Sequence, residues 1–139
     1  MRIDADMLLK TAAEAKDRAY APYSRFKVGA ALLDAQGRVY PGCNVENAAY
    51  APTNCAERTA LFGAIASGAS PKQFAAIALI GDTQEPLSPC GVCRQVMIEL
   101  CPPDMPVIMG SAGGRWTKST VAELLPDAFH PDVLKEEQP

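Results

Sequence analysis

The run Phe74-Ala75-Ala76-Ile77-Ala78-Leu79-Ile80 decides the architecture. It is far too short to span a membrane and too continuous for a half-exposed strand. Bounded by Pro71 upstream and Gly81 downstream, it predicts a central strand buried on both faces. Working outward, Cys90–Leu100 reads as a helix, with Ser88 as N-cap and Pro89 at the tolerated first position. Pro102-Pro103 closes that helix, Pro106–Met109 is a further short strand, and Gly113–Lys118 is one more. On the other side, Ala56–Ala66 predicts a buried helix stopped at Ser67-Gly68. Before it, Phe26–Leu33 and Arg38–Cys43 flank the turn Asp34-Ala35-Gln36-Gly37 and form a hairpin. Residues 4–20 carry Leu8, Ala12, Ala15 and Ala19 at helical spacing, and Pro22 ends the segment. This order of elements predicts a mixed sheet covered by helices, an α/β layer structure without internal repeats or linkers.

Composition narrows the function. The 139 residues fit one domain, and a hydrophobic fraction of 48% supplies a core. Thirteen Lys and Arg against sixteen Asp and Glu give a net charge of −3, which argues against a nucleic-acid partner. The N-terminal Arg2, Asp4 and Asp6 interrupt any apolar signal region, so a cytoplasmic protein with no membrane partner is expected. The chain has five cysteines and a single histidine. An odd cysteine count without a secretion signal points away from a disulfide framework and toward thiol or metal chemistry.

Two segments carry that chemistry: Thr53-Asn54-Cys55-Ala56-Glu57-Arg58 and Pro89-Cys90-Gly91-Val92-Cys93. Each places a cysteine at the predicted start of a helix, where free N–H groups and the helix dipole favour a thiolate. Cys90 and Cys93 are one helical turn apart, so both sulfurs aim at a common point, and Cys55 can supply a third ligand. Three protein ligands leave one tetrahedral position open, the arrangement of a catalytic zinc. Other readings compete. A CxxC pair can be redox-active, and a closed structural zinc would recruit Cys43. Cys101 lies roughly 15 Å along the helix and cannot join. Asn54-x-x-Glu57 has the spacing of a capping box, in which the glutamate serves only the backbone.

Taken together, the two segments resemble the zinc-dependent nucleobase deaminases, whose pattern is a His or Cys, one residue, a Glu, and later Pro-Cys-x-x-Cys. The resemblance extends through Tyr23-Ser24-Arg25-Phe26, Gly42-Cys43-Asn44-Val45-Glu46-Asn47, Cys55-Ala56-Glu57-Arg58, Ser88-Pro89-Cys90-Gly91-Val92-Cys93-Arg94-Gln95 and Leu124–Phe129. These blocks, in this order, are similar to cytidine deaminases of the small homotetrameric, zinc-dependent type. The resemblance implies a single three-layer α/β/α domain over residues 1–139, with a mixed sheet of about five strands; residues 131–139 are expected to be a mobile tail. It also implies hydrolytic deamination of free cytidine and 2′-deoxycytidine to uridine and 2′-deoxyuridine with release of ammonia, a step of pyrimidine salvage. A blasticidin-type or other small-nucleoside deaminase shares the zinc motif. From a different class, a non-catalytic zinc-binding or thiol-redox module also fits the cysteines.

On this resemblance Cys55, Cys90 and Cys93 hold one Zn²⁺ per subunit, a metal-activated water attacks C4 of cytosine, and Glu57 shuttles protons. Three thiolates leave the zinc centre at −1, so a nearby cation is needed, and Arg58 is expected to contact the ligand sulfurs. Asn44 and Glu46, two apart on an extended segment, project from one face and are suited to ribose hydroxyls. Phe26 is expected against the base and the Ala56 amide at the cytosine O2. Ala48, Tyr50 and Phe129 are expected to reach a neighbouring subunit's site in a homotetramer with shared active sites. Judged by themselves, Phe26 and Phe129 read as core aromatics.

Overall fold

A computed structural model describes residues 2–136. The elements run α1 (Ala5–Lys16), β1 (Val28–Asp34), β2 (Val39–Cys43), α2 (Ala56–Ala66), β3 (Phe74–Gly81), α3 (Gly91–Leu100), β4 (Pro106–Met109), β5 (Thr117–Thr120), α4 (Val121–Leu124) and α5 (Asp132–Glu136). The strands form one mixed sheet in the order β2-β1-β3-β4-β5. Only β3 and β4 are parallel, joined through α3, and every other pair is antiparallel.

Period-two alternation along the central strands divides the core between the two faces of the sheet. Ala31, Leu33, Ala76 and Ala78 meet Leu8 and Ala12 of α1. Ala30, Leu32, Ile77 and Leu79 meet Ala60, Leu61 and Ala64 of α2, together with Cys93 and Met97 of α3. The expected three-layer α/β/α arrangement with five strands is therefore present. Two glycines set how closely the layers approach. A Cβ on Gly29 would lie 1.8 Å from the Ala12 carbonyl oxygen, and one on Gly42 would lie 2.3 Å from that of Ala56. At Gly42, the missing side chain lets the first turn of α2 rest directly on β2.

Several element boundaries differ from expectation, each for a physical reason. Helix α1, capped by the Asp4 carboxylate on the Met7 amide, ends at Lys16 rather than at residue 20. Tyr20 instead pairs with the Asn44–Glu46 backbone, donating to the Asn44 carbonyl and accepting from the Glu46 amide, and a residue so paired is not helical. The N-cap of α3 is Cys90, not Ser88, and neither α2 nor α3 has a side-chain cap. The strand expected over Gly113–Lys118 lies instead at Thr117–Thr120, because a turn occupies the preceding residues: Ser111 Oγ donates to the Arg115 carbonyl and Gly114 has φ +90°. Within the expected mobile tail, Asp132–Glu136 forms a short helix, and residues 137–139 lie outside the described residues.

Candidate active site

Helices α2 and α3 point their N-termini at one place. Cys55 and Cys90 are the two N-caps, each in extended backbone (φ −75°, ψ 158° and φ −69°, ψ 166°). Cys93 follows one turn into α3 and is fully buried. The Sγ atoms of Cys55 and Cys90 are 3.8 Å apart, and those of Cys90 and Cys93 are 3.5 Å apart. All three lie within 4.8 Å of one another. Tetrahedral zinc with Zn–S bonds of ~2.3 Å requires sulfurs ~3.8 Å apart, so the donor set fits that metal in type and spacing. This is the one His/Cys/Asp/Glu cluster able to hold a metal among the described residues. Cys43 is not part of it, and Cys101 sits at the far end of α3, so the closed four-cysteine site is not built.

Charge within the cluster is uneven. The hydrogen bond from Cys93, opposed by partial burial and aided by Arg58, draws the Cys55 thiol down to about 5. Cys93 moves the other way, raised by its hydrogen bond with Cys55 and by burial. The Cys55 and Cys93 sulfurs thus differ in proton affinity, and a bound dication would displace the protons that remain on the cluster. Arg58 Nη2 donates to Cys55 Sγ at 3.2 Å. Cys101 is 1% exposed, and burial pushes its thiol up to about 12, so it is inert packing.

Glu57 lies one residue inside α2 and is 4% exposed. Burial, reinforced by the neighbouring Cys55 charge, raises its carboxyl above the ordinary range. A capping box would have Asn54 and Glu57 serving the helix backbone. Instead the N-cap is Cys55, and Asn54 Nδ2 donates to Thr59 Oγ1 at 3.1 Å. Glu57 is not engaged with Asn54 in a capping box and lines the cavity, its carboxyl beside its own backbone amide and the Cys93 thiol.

That cavity has a volume of about 380 Å³, within the usual range for a small-molecule site. Cys55, Ala56, Glu57 and Cys90 line it from the helix N-termini. Phe26, Val28, Leu79 and Leu87 form apolar walls, and Asn44 and Glu46 supply polar groups. The two halves are joined through Val45, whose backbone pairs with Tyr20 on one side and Asn54 on the other. Asn44 and Glu46 flank Val45, and Cys55 follows Asn54, so one bridge sets the distance from the polar rim to the sulfurs.

Asn44 is nearly buried (8% exposed). Its Oδ1 accepts from the Val28 amide and its Nδ2 donates to the Phe26 carbonyl, both at 2.8 Å. Each side-chain atom keeps one further hydrogen-bonding position. Glu46 accepts from the Tyr23 and Ser24 amides at 3.0 and 3.1 Å and from the Ser24 hydroxyl. These bonds, the hydroxyl's foremost, hold its carboxyl below the ordinary range.

The sequence-predicted residues do not all converge. Cys55, Cys90, Ala56, Glu57, Asn44, Glu46 and Phe26 line the cavity, with Cys93 in the sulfur cluster beneath it. Tyr50 (φ +63°, 78% exposed) lines an adjoining surface depression instead. Ala48 and Phe129 are exposed and line neither hollow. Phe26 and Phe129 are 40% and 57% exposed, which corrects their reading as core aromatics. Sequence reasoning missed Ser24, Thr53, Leu87 and Ser88 in the lining. It also gave Arg94 no role. Arg94 donates to the Pro89 carbonyl, to Ser88 Oγ and to the Leu124 carbonyl at 2.7–2.8 Å, pinning the loop that carries Cys90. An arginine one residue past a ligand is the signal that could have suggested this.

Comparison with known proteins follows the same lines. A family model described as "Cytidine and deoxycytidylate deaminase zinc-binding region" matches residues 3–109. The cytidine deaminase of Halalkalibacterium halodurans is 54% identical over 134 residues, covering 96% of this chain and all of the relative. That of Mycobacterium tuberculosis is 39% identical, covering 98% and 97%. Among solved structures, the cytidine deaminase of Burkholderia pseudomallei superposes with a TM-score of 0.89 at 53% identity, covering 91% of this chain and all of the other.

Proposed function

The chain belongs to the cytidine and deoxycytidylate deaminase family, and from that premise we propose that it is a zinc-dependent hydrolase deaminating cytidine and 2′-deoxycytidine to the corresponding uridines with release of ammonia. The observation carrying this reading is a buried carboxylate, Glu57, beside a three-sulfur cluster on the floor of a nucleoside-sized cavity. Cys55, Cys90 and Cys93 would hold one zinc per chain, which supplies a Lewis acid that makes water a nucleophile near neutral pH.

The chain's own residues do the rest. Glu57 takes one proton from the attacking water and delivers it to N3 of cytosine, then takes the second from the new C4 hydroxyl and gives it to the departing amino group. Its raised pKa suits a group that must both accept and return a proton. The Ala56 amide, at the start of α2, donates to the base O2, and Phe26 packs against the ring. Asn44 and Glu46 receive sugar hydroxyls. Val28, Leu79 and Leu87 keep bulk water from the reacting carbon. Arg58 offsets the negative charge of the thiolates.

Of the fourteen cavity-lining residues none is Lys or Arg, while two, Glu46 and Glu57, are acidic. That lining suits an uncharged nucleoside better than a phosphorylated one. A thiol-redox module is disfavoured because such a pair has no need of a third sulfur at the same spacing.

The homotetramer belongs to this proposal too. Tyr50 and Phe129 are exposed and away from their own cavity, as residues completing a neighbour's site would be. Among the described residues no helix is long and apolar enough to cross a membrane, and cytoplasmic residence is part of the same reading. The test is loss of cytidine ultraviolet absorbance, with and without a zinc chelator and in Glu57→Gln. Turnover should vanish with chelator, return with zinc, and fall by about 10²–10⁴ in the variant. Metal bound with cytidine untouched would refute it. Size exclusion tests the assembly, which a fully active monomer contradicts.

A further inference from the structure

The Ser24 hydroxyl occupies a junction in the cavity wall. It donates to Glu46 Oε2 and accepts from the Phe26 amide at 3.0 Å. Between its two neighbours Arg25 adopts φ +58°, a left-handed conformation uncommon for a residue with a side chain. This turn curls residues 23–26 around one carboxylate, whose other oxygen takes the Tyr23 and Ser24 amides. A carboxylate has about four lone-pair directions. Three are filled here, leaving one.

We propose that Ser24 is a positioning residue for substrate, whose hydroxyl fixes the Glu46 carboxylate relative to Phe26 so that sugar and base are read from one rigid geometry. This rests on the functional reading above, in which Glu46 meets a sugar hydroxyl and Phe26 meets the base. The terminal torsion of a glutamate is broad, so a carboxylate held through one oxygen alone would swivel. The second anchor, on Oε2, comes from Ser24.

The test compares steady-state kinetics of the zinc-loaded wild type with Ser24→Ala, Ser24→Thr, Glu46→Gln and the Ser24→Ala/Glu46→Gln pair. Substrates are cytidine and 2′,3′-dideoxycytidine, which offers no 2′- or 3′-hydroxyl to Glu46. Ser24→Ala should raise KM for cytidine by about tenfold with most of kcat retained. The increase should shrink to less than about twofold on the dideoxy substrate and in the Glu46→Gln background. Ser24→Thr, which keeps the hydroxyl, should restore KM and remains informative if the alanine variant folds poorly. Equal losses on both substrates, additivity with Glu46→Gln, or a fall in kcat at constant KM would overturn the proposal. An active wild type with an unchanged Ser24→Ala defeats this inference alone. An inactive wild type defeats the functional reading and this inference with it.

Discussion

Replacing Arg58 by methionine removes a cation while keeping most of its apolar stem. The guanidinium Nη2 stands 3.2 Å from Cys55 Sγ. Two unit charges at that distance attract by about 5 kcal/mol at an effective dielectric of ~20, and by about 1 kcal/mol in water. The group is half-buried, and its desolvation opposes the gain; indeed its Nε is buried without a partner. A charge-assisted hydrogen bond under such conditions nets about 1.5–3 kcal/mol. With zinc present, the three thiolates and the metal sum to −1, so that stabilisation acts on the loaded state. Arg58→Met should therefore weaken zinc binding by about 10–100-fold and lower kcat, since uncompensated thiolates leave the metal a poorer acid. Arg58→Lys, which keeps the charge but loses the planar fork, should fall between. Competition against a chromophoric zinc chelator at pH 7.5 measures the affinity, and metal content after gel filtration checks it. Affinity and turnover of Arg58→Met within about threefold of wild type would refute the claim that this arginine balances the sulfurs.

Four further perturbations follow from the fold. Asp34 is 1% exposed; burial alone would raise its pKa, but bonds from the Gln36 and Arg38 amides, Arg38 Nε and Tyr40 Oη hold it below the ordinary value. Its contribution is thus present above the unfolded pKa near 4 and lost as pH falls through the folded value. Asp34→Asn should cost about 1–3 kcal/mol at pH 7 and show less acid sensitivity in urea unfolding; an equal cost at pH 3 would contradict this. Gly42→Ala places a Cβ 2.3 Å from the Ala56 carbonyl oxygen and 2.7 Å from the Ala60 amide nitrogen, both backbone atoms that cannot rotate away. It should cost at least about 2 kcal/mol and weaken zinc retention by displacing Cys55, whereas Gly63→Ala, which meets open space, should stabilise α2 by about 0.5–1 kcal/mol. After chelation, iodoacetamide should modify Cys55, drawn down to about 5, well before Cys93 or Cys101, whose thiols are buried and raised; peptide mapping of early label on Cys101 would disprove that ranking.

How much of this was legible in the sequence follows from the range of the forces involved. The strand Phe74–Gly81 and the two cysteine-headed helices could be read because apolar periodicity and N-terminal position are local properties. The spacing of three states that Cys90 and Cys93 share a point, whereas Cys55 joins them because the sheet sets the start of α2 beside that of α3. What was lost involves partners distant in the chain. Phe26 and Phe129 read as core because they are apolar, yet burial of apolar residues is only a tendency, and both remain exposed. Asp34 is the exception: its partners Arg38 and Tyr40 are only four and six residues on, but a turn signal alone does not show that they fold back over it. Helix α1 stops early because Tyr20 is claimed by a segment over twenty residues away.

The clearest case is Val45. Its side chain is 43% exposed and packs nothing that pattern analysis would notice. Its backbone, however, accepts from Asn54 and donates back to it at 2.9 and 3.0 Å, while the flanking Asn44 and Glu46 pair with Tyr20. Catalysis by positioning depends on distances held to within about an ångström, and here the rim-to-sulfur distance passes through those backbone bonds. They would survive most substitutions at Val45 except proline, which lacks the amide and would open the bridge. A position so permissive in side chain and so constrained in backbone carries almost no composition signal. The chemistry of this site is written in residue types, but its metric lies in backbone pairings that only the fold reveals.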